Sequence, residues 1–123
     1  MSFKEECWII YGVKVGKKYY GRLVYESKGS PGSVDFDWEK VIRHRDSIIG
    51  FNHTHPGSMN LPSDTDDFTM TGWVKALGKP LLCGIKGSEQ RMYMYERGSD
   101  KTVHSCRVPI KVFGKFIIVK TEL

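Results

Sequence analysis

Two histidines and an aspartate in the middle of the chain have the types and spacing to do chemistry. His53 and His55 stand at positions i and i+2, and because strand side chains alternate faces, both would project to one side of a strand. Asp66 follows and can add an anionic oxygen ligand. Two imidazoles and one carboxylate leave the fourth position of a tetrahedral Zn²⁺ open to water, as in catalytic sites. The same set also suits Fe(II), so the donors alone leave the metal open.

A strand predicted over residues 47–55 positions the two histidines. Ile49 and Phe51 precede them on the same face, so His53 and His55 continue an apolar, core-facing row outward to the strand end. Ligand sites of open sheets tend to lie at the ends of strands. The sequence therefore predicts a site at the end of this strand.

A helix that begins after Ser63 is predicted to position Asp66. Ser63 is a favourable N-cap, and Gly78 followed by Pro80 is a typical helix end. Asp66 shares one helical stripe with three apolar residues: Met70, Trp73 and Leu77. We therefore expect Asp66 to point towards the core, as the histidines do.

The remaining chain contains one more predicted helix and six more predicted strands. The helix is expected from Asp35 to about His44, after a loop over residues 27–33. The six segments of strand composition are residues 7–13, 18–26, 81–85, 91–95, 103–108 and 112–119. A chain of 123 residues is long enough for one domain, so a single domain over residues 1–123 is expected.

Composition and charge exclude several classes of protein. No apolar run approaches the roughly 18–20 residues of a membrane span, and the N-terminal segment lacks the pattern of a secretory signal, so a cytoplasmic protein is expected. The three cysteines form no CxxC pair, which favours reduced thiols over a cysteine zinc site. The net charge of +5 is mild, and no recognition motif for nucleic acid accompanies the lysines.

The segment His53-x-His55-Pro56, six residues, Ser63-x-x-Asp66 resembles the signature of the JAMM/MPN+ (JAB) zinc metalloproteases. The spacing of HxHP-x6-SxxD matches without a gap. The resemblance implies that His53, His55 and Asp66 bind Zn²⁺ and that Ser63 stabilises an oxyanion by hydrogen bonding. It also implies an MPN/JAB-like, cytidine-deaminase-like layered fold. The expected fold class is therefore α/β, with a mixed curved β-sheet flanked by helices.

The resemblance, which extends more loosely over about residues 4–96, further implies a glutamate upstream of the histidines that acts as general base. Glu5 stands 48 residues before His53 and just before an apolar stretch, which is where the family pattern places this acid. Glu6 and Glu26 are the alternatives for the same role.

The function implied by the resemblance is zinc-dependent hydrolysis of peptide or isopeptide bonds. Zinc-activated water would attack the carbonyl, and Glu5 would carry a proton from that water to the leaving amine. The expected partner is a protein or peptide substrate, such as a ubiquitin-like or sulfur-carrier protein. No membrane or nucleic-acid partner is expected, and the oligomeric state is left open. The alternative function is a non-catalytic MPN-type scaffold that binds partner proteins.

Overall fold

The computed structural model describes residues 6–28, 38–55 and 60–121, which form two helices and eight strands. The helices are α1 (Trp38–Arg43) and α2 (Asp64–Leu77). The strands are β1 (Glu6–Val15), β2 (Lys18–Lys28), β3 (Ile48–Thr54), β4 (Leu81–Lys86), β5 (Gln90–Arg97), β6 (Val103–Val108), β7 (Ile110–Phe113) and β8 (Phe116–Lys120). Within these described ranges, neither helix is long and apolar enough to cross a membrane.

The eight strands form one mixed sheet in the order β6-β5-β4-β3-β1-β2-β8-β7. β3 lies near the middle, antiparallel to β1 and parallel to β4. A parallel pair cannot be joined by a tight turn, and α2 lies in the crossover connection from β3 to β4. The other neighbouring pairs are antiparallel.

The first of two apolar clusters lies between the sheet and its helices. α2 contributes Met70, Trp73 and Val74, and the Trp73 ring packs against Phe51 of β3 with ring centroids 5.3 Å apart. α1 adds Val41 to the same cluster. The stripe predicted along α2 is therefore the buried face of that helix, and Asp66 is buried with it.

The second apolar cluster fills the opposite face, where the sheet covers itself. Tyr19, Ile117 and Val119, from β2 and β8, belong to one cluster with Met92 of β5 and Val108 of β6. These strands stand on opposite sides of β3 in the sheet order. The sheet must therefore curl to bring them into contact, which extends the ordinary right-handed twist of a sheet.

The expected α/β class, a curved sheet flanked by helices in a cytidine-deaminase-like layered fold, is wrong. Strands hold 55% of the described residues and the two helices hold 19%, so the fold is mostly β. Both helices contribute to the first cluster, and the curl of the sheet covers the other face. The individual strands predicted from residue patterns agree better with the structure than the fold class that the resemblance implies.

The single strand predicted over residues 112–119 is also wrong, because the chain reverses within it. Gly114 has a φ of +62°, a conformation that glycine adopts without strain, and it forms the turn between β7 and β8. Phe113 pairs with Phe116 directly across this turn. A two-residue turn with a glycine at positive φ is a common connection in tight hairpins.

Gly50→Ala should destabilise the protein, because a Cβ at Gly50 would lie 2.2 Å from the Leu82 carbonyl oxygen of β4. A backbone neighbour cannot move aside easily, so we expect the free energy of unfolding to fall by about 1–3 kcal/mol. Gly72→Ala is the matched control, since nothing lies within 4 Å of a Cβ at that position in α2. Alanine there should raise the free energy of unfolding by about 0.5–1 kcal/mol. Urea denaturation measures the free energy of unfolding of both variants. The same change in both would contradict the close approach of β3 and β4.

Candidate metal centre

Three side chains converge at the end of β3. The Nε2 atoms of His53 and His55 are 2.8 Å apart. Asp66 Oδ1 lies 3.0 Å from His53 Nε2, and Asp66 Oδ2 lies 3.1 Å from His55 Nε2. All three residues are buried. The structure thus brings together the three residues that the sequence proposed as ligands, and their atoms are close enough to hold one metal ion.

The pairing of β3 with its neighbours places both histidines. His53 lies opposite Cys7 of β1 and Ile85 of β4. His55 follows the last residue of β3, where its N–H donates to the Lys86 carbonyl at 3.1 Å and continues the pairing with β4. Both imidazoles are therefore held by the sheet backbone and stand on the face that α2 covers.

The first turn of α2 places Asp66. Ser63 is the N-cap: its Oγ accepts the Asp66 N–H at 3.1 Å, and its own N–H donates to Asp66 Oδ2 at 2.9 Å. These reciprocal bonds form a capping box. The carboxylate that faces the histidines is therefore also a structural part of the helix start. Because Ser63 Oγ acts here as an acceptor, its hydroxyl proton is left to donate elsewhere.

The surroundings of Asp66 keep its side chain ionised. Burial raises the pKa of this carboxyl, but the hydrogen bond and charge of His53, the Ser63 N–H and the charge of His55 together lower the pKa to about 2. At neutral pH Asp66 is therefore a carboxylate, which is the form that binds a divalent cation.

The Nε2 side of the two imidazoles fits a cation, whereas their Nδ1 side lacks, among the described residues, the acceptor that usually orients a metal-bound histidine. Within the described residues, neither His53 Nδ1 nor His55 Nδ1 has a hydrogen-bond partner. When the ring proton is on Nδ1, the Nε2 lone pairs of both rings and the Asp66 carboxylate point into the same space. Electron pairs this close repel one another, and a cation between them turns the repulsion into attraction. Two imidazoles and one carboxylate are a zinc-type donor set.

Of the glutamates predicted as general base, Glu5 lies outside the described residues, and Glu6 begins β1. Alternation along β1 puts the Glu6 side chain on the face of Trp8, whereas His53 stands on the opposite face. The Glu6 carboxylate therefore turns away from the metal centre. Its backbone N–H donates to Thr54 Oγ1 at 2.8 Å, which ties the start of β1 to the residue between the two histidines.

Glu26, the remaining alternative, is bound to another partner. Its Oε1 lies 2.7 Å from Lys40 Nζ of α1, so the pair links β2 to that helix. The structure does not bring Glu26 into the group formed by His53, His55 and Asp66.

Sequence reasoning missed a set of hydrogen bonds that hold α2 and the residues before it against β5. Tyr95 OH donates to Asp67 Oδ1, and desolvation together with this hydrogen bond raises the pKa of the phenol. Tyr93 OH donates to the Asn60 carbonyl at 2.7 Å. No local pattern marks these contacts, because they depend on which β5 side chains face α2 across the folded sheet.

Comparison with known proteins gives no relative from which a function could be transferred. No protein-family model matches the chain, and no curated protein matches its sequence. The geometry of the metal centre and the sequence motif are therefore the two features of the chain that bear on its function.

Proposed function

We propose that the protein is a zinc-dependent hydrolase that cleaves peptide or isopeptide bonds in a protein or peptide substrate. The observation that carries the proposal is the convergence of His53 Nε2, His55 Nε2 and the Asp66 carboxylate, with separations of 2.8–3.1 Å. The similarity of HxHP-x6-SxxD to the JAMM/MPN+ motif supports amide hydrolysis as the chemistry, with ubiquitin-like or sulfur-carrier proteins as candidate substrates.

The three proposed ligands come from two different elements, and each has a role of its own. His53 and His55 bind from the end of the sheet, and Asp66 binds from the start of α2 as an ionised carboxylate. Zn²⁺ held by this set supplies Lewis-acid chemistry, which polarises a carbonyl and lowers the pKa of water towards about 7.

Ser63 is the proposed donor to the oxyanion. Its Oγ accepts the Asp66 N–H, so its hydroxyl proton is available to the substrate oxygen that gains charge during attack. Ser63 also stands at the N-terminus of α2, the positive end of the helix dipole, which favours the same negative charge.

Glu5 is the proposed proton carrier between water and the leaving amine. β1 begins beside the metal centre, because its second residue, Cys7, lies opposite His53. Glu6 turns to the other face of β1, and the Glu26 carboxylate is paired with Lys40. These two placements favour Glu5 among the three glutamates.

Asp66→Asn should lower zinc affinity at least tenfold, because it removes the anionic ligand while its amide oxygen can still accept the Ser63 N–H. Asp64→Asn, a change at an exposed acid in the same helical turn, is the matched control and should keep the affinity. Competition titration with a chelating dye measures the affinity, and elemental analysis should find near one zinc per wild-type chain. Zinc should also raise the melting temperature of the wild type more than that of Asp66→Asn. Wild-type protein that neither carries nor binds zinc would contradict the proposed centre.

Glu5→Gln should lower kcat by about 100-fold or more and leave zinc affinity unchanged, since it removes the proton carrier without touching a ligand. Glu6→Gln and Glu26→Gln are the matched controls and should keep most of the activity. Hydrolysis of a quenched fluorescent peptide library by zinc-loaded protein provides the measurement. Full activity in Glu5→Gln would move the role to another residue, and no hydrolysis by the wild type would argue against a peptidase.

Ser63→Gly should separate the two roles of Ser63. Glycine at an N-cap costs only a few tenths of a kcal/mol in stability, whereas loss of an oxyanion donor lowers kcat by about 100-fold. Ser63→Thr keeps both the hydroxyl and the cap and should keep the activity. If kcat of Ser63→Gly falls by no more than its small loss of stability explains, then Ser63 acts as a helix cap alone.

A further inference from the structure

A cavity of about 510 Å³ lies on the face of the sheet opposite to the metal centre. Trp8 and Tyr25 line it, with ring centroids 5.9 Å apart and ring planes at 76°. Leu23 and Val112 add apolar surface. Protein sites for small ligands have volumes of about 300–1,000 Å³, so this cavity has room for a small organic molecule.

Asn52, a residue that is only 1% exposed, contributes to the lining of the cavity. Gln90 Nε2 donates to the Arg91 carbonyl and to Asn52 Oδ1, each at 2.9 Å, so the Asn52 atom that accepts is the oxygen. Gly84 makes room for this oxygen, because a Cβ there would lie 2.1 Å from it. Among the described residues, no acceptor pairs with Asn52 Nδ2. Its two N–H groups are therefore available to an acceptor in the cavity.

The charged residues that line the cavity are all basic: Arg22, Lys86 and Lys115. Lys86 Nζ lies 6.0 Å from the centroid of the Trp8 ring. No carboxylate is found among the described residues of the lining. Glu6 stands outside the lining, near Tyr25. The combination of unpaired amide donors and lysine ammonium groups favours a ligand with a negatively charged oxygen.

We propose that this cavity binds a compact carboxylic acid with a flat aromatic body. The carboxylate accepts from Asn52 Nδ2 and Lys86 Nζ, and the ring packs against Trp8 and Tyr25, since aromatic side chains favour edge-to-face and offset contacts with other rings. His53 and Asn52 are neighbours on β3 with side chains on opposite faces. The proposed ligand site and the metal centre therefore lie back to back across one strand.

The probes 2-naphthoate and 2-naphthamide test the proposal, because they share a body and differ in charge. We expect 2-naphthoate to shift the indole N–H resonance of Trp8 in an NMR titration and to bind about fivefold more tightly than 2-naphthamide, which is the effect of a partly exposed charge contact. Lys86→Gln should remove this preference. Lys75→Gln, at an exposed position of α2, is the matched control and should keep it.

Two further variants locate the binding and separate it from the proposed hydrolase. Asn52→Asp retains an acceptor for Gln90 but puts a negative charge beside the bound acid, so 2-naphthoate should no longer bind to the folded variant. Asp66→Asn should bind 2-naphthoate as the wild type does, whatever the outcome of the zinc experiments. Equal affinity for the two probes, or a Trp8 resonance that does not move, would overturn the proposal. Loss of binding in Phe68→Ser would also overturn it, because Phe68 is exposed on α2, which covers the other face of the sheet.

Discussion

The position of β3 between β1 and β4 is the constraint on which the rest of the structure depends. Both edges of this strand are paired, and residues 48–53 are all buried. Strands buried on both faces are normally apolar throughout, since every polar side chain there needs a partner. β3 instead carries Asn52 and His53 near its end. Asn52 meets Gln90 on one face and His53 meets Asp66 on the other, so the two buried polar side chains of the strand define the two places in the molecule where ligands are proposed.

The parallel pairing of β3 with β4 also decides where the third ligand comes from. A parallel pair needs a crossover, and α2 makes that crossover over the face that carries the histidines. The buried stripe of the helix holds it in place, and the capping box orients its first turn. Asp66 therefore reaches the histidines from a rigid helix rather than from a loop, which limits the freedom of all three donors. Nε2–H groups of the imidazoles and the Ser63 backbone N–H offset the cost of burying this carboxylate, and a bound cation would take the place of the imidazole protons.

Local patterns predicted the parts of the structure that local physics determines. The i, i+2 spacing of the histidines, the N-cap at Ser63 and the stripe of α2 each follow from the geometry of one element, and the structure contains each of them. The curl of the sheet could not be predicted in this way, because it depends on contacts between strands that are distant in sequence. The cavity depends on the same curl, since Trp8, Lys86 and Val112 come from three separate strands. The turn at Gly114 did have a local signal, but the apolar residues on both sides of it favoured one continuous strand.

The close contact at Gly50 has a consequence for the alignment of the strands. Side chains alternate along a strand, so a shift of one residue would exchange the two faces of β3. His53 would then enter the basic cavity, and Asn52 would stand beneath Asp66. Gly50 against Leu82, and Gly84 beneath Asn52, permit close approaches that an added methyl group would block. The absence of a Cβ at Gly50 and at Gly84 thus helps to fix the register of β3. This register places the His53 imidazole on one face of the sheet and the Asn52 carboxamide on the other.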